Sequence, residues 1–131
     1  MTDEQTSYMD DLIAYRKERA FETFEEALIL AEKDKWNACV NRLYYACFYA
    51  VSALLLKHDY SSAKHTGIRS LFNKYFVKKG LIPKKIALVY NLLFERRQEG
   101  DYKDFIKFKK NDVLPWISDT KSFLSVIEKM I

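Results

Sequence analysis

The stretch WNACVNRLYYACFYAVSALLL, residues 36–56, limits the folds open to this chain more than any other part of it. Trp36, Val40, Leu43, Cys47, Val51, Leu54 and Leu55 recur at helical spacing, and Tyr44, Tyr45, Phe48 and Tyr49 fill the neighbouring faces, so the predicted helix is apolar nearly all round. Such a helix lies at the centre of a bundle or is covered on one side by a second subunit, which makes a homodimer an expectation. It does not read as a membrane span. Its nearly apolar run, Leu43 to Leu56, is 14 residues long between Arg42 and Lys57, whereas crossing a bilayer takes about 20. Cys39 and Cys47 sit eight positions apart on this helix, about 12 Å at helical rise, too far to bridge. They read as small core residues.

The remainder of the chain supports an all-α, single-domain bundle of about five helices over residues 1–131, with its core at about 10–130. Only 3 glycines and 2 prolines occur in 131 residues, which favours long helices with tight connections. A first helix is expected from Tyr8 to Ala31, with Leu12, Tyr15, Ala20, Phe24, Ala27, Leu28 and Ala31 on its inner side. Ser61 and Ser62 are candidate caps for a third helix carrying Ile68, Leu71, Phe72, Tyr75 and Phe76, which Gly80 ends. Pro83 suits the first turn of a fourth helix with Ile86, Val89, Tyr90 and Leu93 inward, and Gly100 suits the position just past its end. Asp112 is the expected cap of a last helix, with Pro115 in its first turn and Trp116, Phe123, Leu124, Ile127 and Met130 inward. The acidic N-terminus is followed by no apolar run, so a cytoplasmic protein is expected.

Charge is unevenly distributed. Residues 64–110 hold 13 Lys/Arg against 4 Asp/Glu, while residues 1–63 hold 7 against 11. A basic middle third is either a solvated lysine-rich surface or a footprint for an anionic partner. Sequence patterns for catalysis or cofactors are sparse: there is no glycine-rich phosphate loop, no paired-cysteine zinc motif and no His-Glu-x-x-His. His58 and His65 are separated by a helix-breaking segment, so no metal site and no cofactor is expected.

What stands out is FERRQEGDYKDF, residues 94–105. Arginines near a helix C-terminus offset its macrodipole, but helix termination explains neither Asp101 nor Tyr102. Arginine is the residue suited to planar, multidentate phosphate contact, so Arg96, Arg97, Asp101 and Tyr102 form a candidate phosphate or nucleotide site.

Three segments, WNACVNRLYYACFYAVSALLL (36–56), KHTGIRSLFNKYFVKKGLI (64–82) and RRQEGDYKDF (96–105), in this order and spacing, resemble the HEPN family of small prokaryotic helical proteins. The resemblance implies a helical bundle that commonly dimerises. In ribonuclease members an arginine and a histidine four to six residues apart cut RNA without metal, the histidine as general base and the arginine stabilising the phosphoryl charge. Here Tyr102 follows Arg97 where that histidine belongs, and no histidine occurs after His65. A tyrosine, with a reference pKa near 10, is a poor base at neutral pH. His65 supplies the imidazole if the start of the third helix lies beside the end of the fourth; otherwise it is a helix-start residue bonded to local backbone. The catalytic candidates are therefore Arg97, Tyr102 and His65. The resemblance further implies a toxin-antitoxin-like pair with a minimal nucleotidyltransferase, RNA or nucleotide binding, and Tyr102 as a candidate for modification by that partner. The alternative is a noncatalytic nucleotide-binding or scaffold module for the transferase, or a plain structural dimer.

Overall fold

The computed structural model describes residues 2–131 as five α-helices: α1 (Asp3–Glu32), α2 (Trp36–Lys57), α3 (His65–Phe72), α4 (Lys84–Tyr102) and α5 (Lys110–Glu128). A π-helical turn, Asn73–Val77, extends α3. No strand occurs among the described residues. The first helix starts five residues earlier than its apolar pattern suggests, because Thr2 and Gln5 form a reciprocal capping box, which satisfies two amide donors that a helix start otherwise leaves unbonded. Its core face is Ala20, Thr23, Phe24 and Ala27. Tyr15 and Leu28, expected inside, are exposed.

As its composition demands, α2 runs through the middle, with α1, α3, α4 and α5 all packed against it. By length and composition it could cross a membrane, but 72% of its most apolar window is buried in the bundle. Burial raises the pKa of both thiols, that of Cys39 to about 11, and both cysteines are free.

Four local expectations need correction. Neither Ser61 nor Ser62 caps α3: the N-cap is Lys64, whose amide bonds to Ser62 Oγ at 3.2 Å. Ser62 tucks against Gly67, where a Cβ would collide with it. The third helix does not run evenly to Gly80; it loosens at Asn73, where Lys78 N–H donates to the Asn73 carbonyl at 2.8 Å, and Gly80 (φ +74°) closes the turn. At the start of α5, Asp112 is not the cap but lies in the first turn and accepts the Lys109 amide at 3.3 Å, which puts Pro115 beyond that turn.

Finally, Gly100 does not end α4, which continues through it to Tyr102. Its missing side chain serves a close approach: a Cβ there would stand 2.7 Å from Phe108 Cε2, and the Phe108 ring is held edge-on to Trp116 at 5.6 Å. In an open helix, Gly→Ala stabilises by about 1 kcal/mol; the crowding here reverses the sign, because overpacking costs about 1–3 kcal/mol. Gly100→Ala is therefore expected to lower the thermal midpoint, and a raised midpoint would show that Phe108 yields freely.

Candidate phosphate-binding site around Arg97

Tyr44, fully buried in the middle of α2, is the residue on which the candidate groups converge. The Arg97 guanidinium of α4 lies over its ring at 4.6 Å, with Tyr45 at 5.7 Å and Tyr102 at 6.0 Å. From the start of α3, His65 Nδ1 shares a 3.0 Å hydrogen bond with the Tyr44 hydroxyl and stacks on Phe48 at 4.2 Å. His65 thus bonds a side chain of α2 rather than local backbone, and the antiparallel run of α3 and α4 brings it to the same tyrosine as Arg97.

Arg97 is a cation removed from water, with only 6% of its surface exposed. Its nearest carboxylate, Asp101 one turn on, is 3.8 Å away, beyond hydrogen-bond length. Asp101 is itself held by Asn41 Nδ2 at 3.0 Å, and Arg97 Nε has no hydrogen-bond partner among the described residues. Aromatic faces offset a desolvated guanidinium by about 2 kcal/mol; they leave its donors unused. Nor is Arg97 a helix-end charge: α4 continues past it to Tyr102, and macrodipole effects fade within the last turn.

The other candidates are placed differently. Arg96 lies outside the cluster, bonded to Glu99 at 2.8 Å. Tyr102 ends α4 instead of lying in a loop, with 76% of its surface exposed. Arg42 joins the rim, over Tyr45 at 5.1 Å and bonded to Asn41 Oδ1 at 2.8 Å.

Electrostatics separate the two sides of Tyr44. Desolvation, followed by repulsion from Arg97, lowers the His65 pKa below its ordinary 6.5, so the imidazole is neutral at pH 7 and one ring nitrogen is a free base or donor. Burial pushes Tyr44 up to about 12, so its hydroxyl stays protonated and fixes the ring nitrogen it meets.

Sequence reading missed Asn37, Asn41, Tyr44 and Phe48 as site residues. Their spacing on α2 was the available signal: 37, 41, 44 and 48 form one helical stripe, and two amides on an otherwise apolar helix need partners. Asn37 clamps the loop after α4, donating to Ile106 O at 2.8 Å and accepting from Phe108 N–H at 2.9 Å. In that loop Phe105 has left-handed backbone (φ +66°) and a fully exposed ring.

A helical bundle with a buried arginine between tyrosines, a neighbouring imidazole and no strand among the described residues defines a compact class. The chain belongs to the HEPN domain family, whose model matches residues 13–130. It is 41% identical over 122 residues to a UPF0332 protein of Thermotoga maritima, covering 93% of this chain and 92% of the relative. Two Methanocaldococcus jannaschii proteins, each named "Putative toxin", are also similar. One is 29% identical over 114 residues (87% of this chain, 78% of that protein), the other 34% over 85 residues (65% and 63%).

A folded-state His65 pKa below the unfolded value means that acid favours the unfolded chain: this stability is present above pH 6.5 and is lost as pH falls through the folded pKa. The thermal midpoint of the wild type should fall more steeply between pH 7 and 5 than that of His65→Gln. An NMR titration placing His65 at or above 6.5 would contradict the geometry.

Proposed function

We propose that this chain is the toxin-like subunit of a two-protein pair and that the Arg97 cleft binds a phosphate of RNA. One observation carries the reading. Arg97 is buried with unused donors beside a neutral imidazole, an arrangement costly to stability without a ligand and suited to an anion that accepts planar N–H pairs. The relatives named "Putative toxin" support its toxin-like part.

In this reading, His65 Nδ1–H donates to the Tyr44 oxygen, and the unprotonated Nε2 takes the proton of a ribose 2′-hydroxyl. The oxygen so freed attacks the adjacent phosphorus, the bond to the 5′-oxygen breaks, and that oxygen leaves with a proton returned by the imidazolium or water. Arg97 neutralises charge gathering on the phosphoryl oxygens. The products are a 2′,3′-cyclic phosphate and a 5′-hydroxyl, and no metal enters the step. His65 comes from α3, not from the stretch following Arg97, so the imidazole reaches the site through tertiary packing. A second copy of the chain completes the cleft.

A second reading is favoured by the exposure of Tyr102 at the tip of α4. It makes Tyr102 the acceptor for a nucleotidyltransferase partner: its hydroxyl attacks the α-phosphorus of ATP and pyrophosphate leaves. The added nucleotide would sit beside Arg97 and block it. In this form the chain is a binding and scaffold subunit.

The test is metal-free incubation with structured RNA, run beside Arg97→Ala, His65→Gln and Tyr102→His. Loss of cleavage by about a hundredfold or more in the first two, with cyclic-phosphate ends in the wild type, supports the ribonuclease. No wild-type cleavage, with Arg97-dependent RNA retention, supports the binding subunit. No RNA binding at all defeats both RNA readings.

A further inference from the structure

The strongest charge feature lies away from Arg97. Residues 57–85 carry seven lysines and Arg69 against one acid, Asp59, a larger excess than the +4 of the whole chain. Packing gathers much of it at one end of the bundle, where α2 stops, the π-helical turn closes and α4 begins. Tyr60, just past α2, stacks flat on Tyr75 of the π turn at 4.3 Å and 10°. His58 meets Phe76 edge-on at 5.2 Å. These contacts set the end of α2, which carries Lys57, against the turn that carries Lys74, Lys78 and Lys79. The ammonium groups of Lys74 and Lys79 both rest over the Tyr75 ring, at 5.1 and 5.2 Å, so two like charges are held by one aromatic ring. A short connection then delivers Lys84 and Lys85.

Folding alone does not account for these cations. None of Lys57, Lys74, Lys78, Lys79, Lys84 and Lys85 has a carboxylate within 4.0 Å among the described residues, whereas Arg19, Arg42, Arg69, Arg96 and Arg97 each do. Asp119 of α5 borders the same groove as Lys85 without pairing to it. Lys84 and Lys85 also occupy the first turn of α4, where the positive end of the helix disfavours cations. By contrast, α1 begins with Asp3 and Glu4. Unpaired lysines placed where they weaken their own helix are cations that a bound anion would stabilise.

We propose that this lysine-rich end is a docking surface for the RNA backbone, separate from the Arg97 cleft and reached by the same strand. The choice of RNA rests on the reading of that cleft given above. Lysines are point charges that neutralise phosphates without reading sequence. Lys84 and Arg97 are thirteen residues apart on one helix, about 20 Å, which a stacked strand spans in about six nucleotides. An anionic lipid surface fits less well, because interfacial anchoring takes a broad apolar face and the large exposed apolar side chains near these lysines are two, Leu81 and Leu88.

The experiment is fluorescence anisotropy with labelled single-stranded RNAs of 4 and 16 nucleotides. The proteins are wild type, Arg97→Ala, and a variant combining Lys74→Gln, Lys78→Gln, Lys79→Gln and Lys84→Gln. Expected is at least a tenfold loss of 16-mer affinity in the lysine variant, with the logarithmic salt slope reduced by about 3. The 4-mer should lose affinity in Arg97→Ala but little in the lysine variant. The variant's melting temperature should hold or rise, since a cation leaves the positive helix end; a structural role would lower it. Equal 16-mer binding by wild type and lysine variant overturns the docking surface even if Arg97→Ala weakens both RNAs. Lysine-dependent 16-mer binding with no effect of Arg97→Ala overturns the cleft reading and leaves the surface standing. Lysine-dependent cosedimentation with phosphatidylserine vesicles, without lysine-dependent RNA binding, would assign the surface to membranes instead.

Discussion

Burial of α2 is the constraint from which the rest of the molecule follows. Thirteen of its twenty-two residues are removed from water, and at about 1.5–3 kcal/mol for a large apolar side chain this is the main driving term of the fold. A rod covered on every side needs neighbours longer than loops, so α1, α4 and α5 are each 19 residues or more. Where an apolar helix carries polar atoms, those atoms must be satisfied by its neighbours. The stripe Asn37, Asn41 and Tyr44 does this, bonding the loop after α4, Asp101 and His65. The core helix therefore also arranges the candidate site.

The same arrangement explains how a charge persists inside a small bundle. Arg97 is countered by aromatic faces and by a carboxylate at 3.8 Å that Asn41 also holds. This compensation is partial, and partial compensation is what a binding site needs: full pairing would leave no donors for a ligand, and none would eject the side chain to solvent. On the other side of Tyr44, the same burial that stabilises the tyrosine's protonated hydroxyl keeps His65 neutral. One buried ring thus couples a cation and a base without letting them neutralise each other.

Glycines show where local rules reach their limit. Gly80 behaves as its residue type suggests, with left-handed backbone closing a helical turn. Gly100 carries the same sequence signal and does something else: it admits Phe108 against α4. The two differ only in what packs on them, which no local pattern encodes. Ser61, Ser62 and Asp112 repeat the lesson at helix starts, since a capping residue type specifies a neighbourhood to within a few positions and backbone geometry chooses among them.

By itself the sequence determined the all-α class, the central place of α2 and the family resemblance. These rest on apolar periodicity and on the order of three segments, both properties of the chain read linearly. It also singled out Arg96, Arg97, Asp101 and Tyr102, because arginines beside an acid and an aromatic exceed what a helix end requires, and His65 through the imidazole that the resemblance calls for. Only the tertiary structure decided that Arg97 is buried while Arg96 is paired outside the cluster, that Tyr102 is exposed, and that His65 meets Tyr44 across 21 positions. Burial and desolvation arise from what surrounds a side chain, and those surroundings exist only once distant parts of the chain have packed together.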